Sequence, residues 1–313
     1  MDFRACDVSA SERKGRFMTV SQQASRVVAL PASLQVRRVG ETLGGEVSGV
    51  DLSKPITDAE RQGIMDALHA HKVIVLRDQH LDKEQMVAVT RRLGPIGENI
   101  LPGEADGGRN EVAVASNAGA DGKPNGQHTD FSSLRWHTDR SFMPRPAAAT
   151  LFYGVTVPSS GGDTLFADTV AAYEALPAAM KARIDEQWAL HWVGYSRDAR
   201  NGGLGAVGAD VLQQAPPVRH PLVRPHDVTG EKAIYCGCHA WKVEGMDEAS
   251  GRALLDGLVA HASQDQFVYR HQWRNNDLVI WDNRSTLHAG TAFAGDKELR
   301  LMYRTIVEAE AAD

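Results

Sequence analysis

The stretch Trp281–Arg304, WDNRSTLHAGTAFAGDKELRLMYR, constrains this chain more than any other. An apolar run, Leu278–Trp281, leads into it, and a second, Leu299–Val307, begins inside it and runs past its end. Both have the length and composition of strands, and His288 stands between them. In the second run Leu299, Leu301 and Tyr303 alternate with Arg300, Met302 and Arg304, so the two arginines share a face. Such a face either meets solvent or lines an interior that supplies anions, because an unpaired buried charge is costly. In the second case a bidentate arginine–carboxylate pair is the natural solution, and a diacid would meet one arginine at its far end.

The rest of the chain supplies the framework. Strand patterns recur at Leu34–Val39, Glu46–Leu52, Val73–Leu76, Val112–Ser116, Ala149–Val157, within Gly161–Asp168, and at Ala233–Cys236 and Gln266–Trp273. Helical patterns fall at Asp58–His71, Asp82–Leu93, Val170–Leu176, Ala178–Trp188 and Asp247–His261. Residues 196–232, with a Gly-Gly pair and prolines between Pro216 and Pro225, read as irregular. Strands dominate the middle and the end, which favours a β-sandwich or barrel with peripheral helices over a parallel α/β sheet.

Residues 1–26 read as a disordered tail without an apolar signal region, with Met18 as an alternative start, and 27–313 as a single domain. Residues 97–135, rich in Gly, Asn, Asp and Ser, read as a lid over an active site. The net charge of −6 argues against nucleic acid or an anionic membrane as partner, and no apolar run approaches the length of a membrane span. Cys6, Cys236 and Cys238 form no disulfide framework, and their use fits the reducing cytoplasm.

The chemistry lies in His137-Thr138-Asp139. On an extended segment residues i and i+2 point the same way, so an imidazole and a carboxylate can share one ion. A third ligand must come from elsewhere in the chain, with His288 as the candidate, and two histidines with one carboxylate leave three positions of an octahedron open, as in the non-haem Fe(II) oxygenases. A second copy of the motif, His128-Thr129-Asp130, lies in the polar loop, whereas the copy at 137–139 follows Trp136 and precedes the strand run from Ala147. The same three ligands suit a zinc hydrolase, although no general-base glutamate stands beside them, or a metal-binding jelly-roll sensor without catalysis.

WHTDRSF (136–142), PSSGGDTLFAD (158–168), AAYEALP (171–177) and WDNRSTLHAG (281–290), with Arg300 and Arg304, together resemble the taurine dioxygenase / 2,4-dichlorophenoxyacetate dioxygenase (TauD/TfdA) family of Fe(II)- and 2-oxoglutarate-dependent dioxygenases. The resemblance implies a mainly β fold with peripheral helices, the cupin-like double-stranded β-helix or jelly roll. It implies His137, Asp139 and His288 as iron ligands, and Thr164 and Arg300 as partners of the distal carboxylate of 2-oxoglutarate, with Trp281 walling the same pocket. It implies Arg304 as holder of an anionic group of the primary substrate, or as a second residue fixing the cosubstrate, and His239 in a substrate role. Fe(II), 2-oxoglutarate and O2 would be consumed or held, with succinate and CO2 as coproducts. A small anionic organic substrate, an aryloxyalkanoate-like carboxylate first, would be hydroxylated. A taurine-like alkyl sulfonate, a sulfate ester or an N-substituted amino acid are the alternatives. The family pattern also suggests a dimer or tetramer. The interval from His288 to Arg300 is one residue longer than in those relatives, which puts an insertion in the Gly290–Lys297 loop.

Overall fold

Two helices near the start of the chain form because their ends are chemically complete. Thr57 and Asp82 each accept a hydrogen bond from the backbone three residues on, while Glu60 and Gln85 return one, so both helices open with a capping box. In the computed structural model these are α1 (Asp58–His71) and α2 (Lys83–Leu93). The structure describes residues 34–100, 105–106, 109–126, 134–198 and 207–309, with the backbone alone at 105, 106 and 109. Cys6, the 1–26 tail, the start of the domain before Leu34 and the His128-Thr129-Asp130 copy lie outside these residues.

The strands are β1 (Gln35–Arg38), β2 (Gly45–Ser48), β3 (Val73–Leu76), β4 (Ala105–Asp106), β5 (Arg109–Ser116), β6 (Ala147–Thr156), β7 (Thr164–Asp168), β8 (Trp188–His191), β9 (Val218–Pro221), β10 (Val223–Pro225), β11 (Lys232–Ile234), β12 (Ala240–Val243), β13 (Val268–His271), β14 (Leu278–Asp282), β15 (Thr286–Gly290) and β16 (Leu301–Glu308). The later helices are α3 (Thr169–Glu174), α4 (Ala178–Ile184), α5 (Val193–Arg197), α6 (Ala209–Gln214) and α7 (Glu248–Ala262). One eight-stranded sheet runs β1-β2-β3-β14-β6-β16-β5-β4, and a three-stranded sheet runs β13-β7-β15. All neighbouring pairs but β2–β3 are antiparallel.

The period of two along the central strands divides the large sheet into two faces. Ile74, Leu76, Leu278, Ile280, Leu151 and Tyr153 pack in one cluster with Ile64, Leu68, Met86 and Val89 of α1 and α2. Val73, Val75, Val279, Trp281 and Met302 turn the other way and pack with Phe166 of β7. The second face is the interior between the two sheets, and the polar groups described below open onto it. The result is the mainly β architecture with outer helices that the strand pattern predicts, and the jelly roll that the family resemblance implies. No helix among the described residues is long and apolar enough to cross a membrane.

Two readings of the chain change. The helix expected over Ala178–Trp188 stops at Ile184, and Trp188–His191 is a strand that pairs with both β12 and β9. A helix continued through Trp188 would lose that pairing, and the short amphipathic strand wins by burying Ala189 and His191. The stretch 196–232, expected to be irregular, contains α6, β9 and β10. Its prolines sit at or beside the strand ends, where no ladder bond is lost. Within the expected lid, β5 is pinned to β16 in the large sheet, while 101–104, 107–108 and 127–133 lie outside the described residues.

Candidate active site

His288 enters the interior from β15, which pairs with β7 through Thr286–Gly290. His137 is not part of a regular strand. It makes an isolated antiparallel bridge to His288, with His137 N–H donating to the His288 carbonyl at 3.0 Å and the reverse bond at 2.8 Å. The expected strand geometry of His137-Thr138-Asp139 is therefore replaced by one bridge followed by a turn. Asp139 enters that turn, and Arg140 adopts a left-handed conformation with φ of 54°. Gly237, at φ +124°, lets a second segment lie against the first: a Cβ there would meet the His137 Cα at 3.0 Å. Cys238 N–H then bonds the Trp136 carbonyl at 2.9 Å, and His239 is brought beside His137.

One Nε2 or Nδ1 from His137, one from His288 and an oxygen of Asp139 lie within 4.8 Å of one another, and all three residues are buried. The His137 Nδ1 proton is spent on the Arg135 carbonyl at 2.7 Å, so Nε2 is the nitrogen that carries the lone pair a metal could use. That Nε2 is 4.0 Å from Asp139 Oδ1, and His288 Nε2 is 3.7 Å from Asp139 Oδ2. His288 Nδ1 is buried and has no hydrogen-bond partner among the described residues. Burial, together with His137 and Arg304, holds the His288 pKa down at about 3, so its lone pair is available. Burial opposes ionisation of Asp139, but His288, Arg304, His137 and the Thr150 hydroxyl hold its pKa well below the usual carboxylate range. Imidazole and carboxylate donors converging in this way fit a divalent transition metal of the Fe(II) class.

Arg300 and Arg304 face the same interior, but at different ends. Four residues of strand separate them by about 13 Å. The Arg304 guanidinium stands 3.7 Å from Asp139 Oδ1, next to the triad. Arg300 is buried, lies over the Phe152 ring at 5.5 Å, and has its pKa pushed down to about 10 by burial. Its backbone N–H is held by Asn117 Oδ1 at 2.7 Å. Gly162 lies against its side chain, a Cβ there falling 3.5 Å from Arg300 Nε, and it is the left-handed backbone at φ +65° that calls for glycine. Thr164, buried at the start of β7, accepts a hydrogen bond from Trp273 Nε1 at 3.0 Å, which leaves its own proton to donate. Trp281 is buried with its ring 4.7 Å from His288 and 5.3 Å from Phe166. His239 is half-buried, bonds Ser196 Oγ at 2.8 Å and lies edge-on to His137 at 6.1 Å. Burial and His137 push its pKa down to about 3.

The structure brings Arg304, Trp281 and His239 next to His137, Asp139 and His288, places Arg300 over Phe152 and Thr164 on Trp273 farther along the same interior, and adds some residues that sequence reasoning missed. Asn117 and Trp273 brace Arg300 and Thr164. Asn283 and Thr150 contact Asp139 directly. Asn283 sits inside the WDNR motif, so a signal was present. Thr150, in a run of alanines and apolar residues, gave none.

A jelly roll carrying two histidines and a carboxylate on its inner face, with a buried arginine farther along the same interior, defines the class of 2-oxoglutarate-dependent oxygenases. A model of the family "Taurine catabolism dioxygenase TauD, TfdA family" matches residues 35–306. The chain is 36% identical over 266 residues to the alpha-ketoglutarate-dependent 2,4-dichlorophenoxyacetate dioxygenase of Cupriavidus pinatubonensis, covering 81% of this chain and 91% of that one. It is 31% identical over 262 residues to an alpha-ketoglutarate-dependent sulfate ester dioxygenase of Pseudomonas putida, covering 82% and 83%. Its fold matches the crystal structure of AAD-2 in complex with Mn(II) and N-oxalylglycine, with a TM-score of 0.76, 33% identity, and 88% and 98% of the two chains covered. This chain belongs to the TauD, TfdA family. It is an oxidoreductase, a 2-oxoglutarate-dependent dioxygenase with Fe(II), 2-oxoglutarate and O2 as its cofactor and cosubstrates, and it acts on a small organic substrate.

Proposed function

We propose that His137, Asp139 and His288 hold Fe(II), that Arg300 and Thr164 hold the distal carboxylate of 2-oxoglutarate against the wall made by Trp281, and that Arg304 and His239 meet the primary substrate. The observation that carries this reading is the convergence of both histidine rings on Asp139, within 4.8 Å, while Arg300 is buried beyond them on the same face. A dianion of the length of 2-oxoglutarate satisfies both ends, chelating at the metal and neutralising a guanidinium taken out of water.

Fe(II), when bound, couples O2 and the oxidative decarboxylation of 2-oxoglutarate, giving succinate and CO2, to hydroxylation of a substrate C–H bond. The protein's share is placement. His137 Nδ1–H on Arg135 fixes one ring, and the β15–β7 pairing fixes the other. Trp281, Phe166 and Phe152 keep the interior between the triad and Arg300 apolar. Arg304, beside Asp139, is placed to draw an anionic substrate group toward the metal.

The substrate we infer is a small carboxylate of the aryloxyalkanoate type, a reading supported by the identity to the phenoxyacetate dioxygenase. A sulfate ester or alkyl sulfonate is the second reading, favoured by the likeness to the sulfate ester enzyme; an N-substituted amino acid ranks behind both. We further propose one catalytic domain over 27–313 with 97–135 acting as the lid, a cytoplasmic location, and a homodimer or homotetramer. A panel of aryloxyalkanoates, sulfate esters, sulfonates and N-alkyl amino acids, scored by stimulated succinate formation, tests the substrate reading. An aryloxyalkanoate should lead the panel; a sulfate ester in that place would replace the first reading with the second.

A further inference from the structure

Asp139 is gripped by a chain of side chains whose hydrogen-bond directions can be read without ambiguity. Asn283 Oδ1 receives three donors: the Asp139 N–H at 3.0 Å, the Trp281 Nε1–H at 3.1 Å and the Thr138 hydroxyl at 3.2 Å, the last shared with the Asn283 carbonyl at 2.7 Å. Turning the amide over would set its NH2 against these donors, so its orientation is fixed. Asn283 Nδ2 therefore points the other way and donates to Thr150 Oγ1 at 2.9 Å. With its lone pair so engaged, the Thr150 hydroxyl gives its single proton to Asp139 Oδ2 at 2.6 Å. Thr138, Thr150 and Asn283 are 1% exposed or less, so water does not compete.

We propose that Asn283 and Thr150 are positioning residues that hold the Asp139 carboxylate to metal coordination through one oxygen. The proposal rests on the reading of Asp139 as a ligand and says how it is kept in that role. A freely turning carboxylate can present both oxygens to a metal and take up a second coordination position. A hydroxyl fixed on Oδ2 ties that oxygen to Thr150, and the backbone N–H of Asp139 is tied to the same amide. Three positions then remain for 2-oxoglutarate and O2. Thr150 from β6 and Asn283 just after β14 lie side by side, because the two strands are paired with Trp281 opposite Thr150, so the large sheet itself sets the carboxylate's angle.

The test is Co(II) binding to the full-length protein without 2-oxoglutarate, followed by titration and by the visible absorption of the bound ion. Thr150→Val keeps the shape and removes the hydroxyl. It should weaken Co(II) binding on the order of 10–100-fold and change the spectrum. Thr150→Ser restores the proton and should return both to within about threefold of wild type, which simple core packing would not predict. Asn283→Asp keeps an acceptor for the three donors but cannot donate to Thr150, and should reproduce the Thr150→Val spectrum. Wild-type affinity and spectrum in Thr150→Val would overturn the clamp while leaving the triad standing. A wild-type protein that takes up no Co(II) would instead overturn the ligand assignment, and the clamp with it.

Discussion

Among the described residues two clusters have the same composition, two histidines and an aspartate with donor atoms within 4.8 Å: His137, Asp139 and His288, and His69, His226 and Asp282. They differ in what has already been spent. In the second cluster Arg284 grips both oxygens of Asp282, at 2.9 and 2.6 Å, and His226 Nε2 adds a third bond at 2.9 Å. His226 Nδ1 accepts the backbone N–H groups of Val228 and Thr229, and His69 Nε2 faces Arg284 at 3.4 Å. The lone pairs of Asp282 and His226 are thus taken up by described donors, and a guanidinium already occupies the place of a cation. In the first cluster the bonds to Arg135 and Thr150 orient His137 and Asp139 and leave both Nε2 atoms facing the carboxylate. Proximity of ligand types does not define a metal site; the direction of the surrounding hydrogen bonds does.

The largest effect expected from this difference is on turnover. His288→Ala should reduce iron-dependent succinate formation to background, whereas His226→Ala should keep measurable turnover in whatever fraction remains folded. Equal losses, after correcting for folded protein, would erase the distinction. Next in size is stability. Asp282→Asn leaves Arg284 buried against a neutral group and should cost about 3–5 kcal/mol in chemical denaturation. A cost below about 1 kcal/mol would mean that the closed cluster is not a structural ion pair.

Arg300→Ala should raise the KM for 2-oxoglutarate about 10- to 100-fold, since a hydrogen bond to a charged group contributes about 1.5–3 kcal/mol. If the affinity for the primary substrate moves instead, Arg300 and Arg304 have exchanged roles. The smallest effect is in acid. Burial raises the Asp282 pKa, but His226 and Arg284 outweigh it and hold it well below the ordinary range. A carboxyl depressed in the folded state contributes stability above its unfolded pKa of about 4 and loses it as pH falls further. Wild type should therefore lose stability below about pH 4 more steeply than Asp282→Asn. Parallel acid limbs would contradict this.

Much of this was legible in the sequence because it is written in local patterns. The apolar run Val73–Leu76 and the capped helix from Asp58 to His71 coincide with the observed elements. The triad was legible because His137, Asp139, His288 and the arginines stand in motifs of distinct residue types. Less legible was anything decided by pairing across the fold. Nothing near Trp188 announces that it will be a strand, because its partners lie at Val218–Pro221 and Ala240–Val243. Thr150 reads as a β-former in an apolar strand, and only the arrival of Asp139 on the same face gives its hydroxyl a use. That His69, His226 and Asp282 would meet was also not legible: Asp282 and Arg284 adjoin Asn283 in one motif, yet they serve a closed ion pair while Asn283 contacts Asp139.

The most direct test of the open-versus-closed distinction is metal stoichiometry by anaerobic titration with Fe(II). Wild type and His226→Ala should each bind one equivalent per chain, and His137→Ala should bind none. Loss of an equivalent in His226→Ala, or retention of one in His137→Ala, would contradict the assignment of the metal to the cluster of His137, Asp139 and His288.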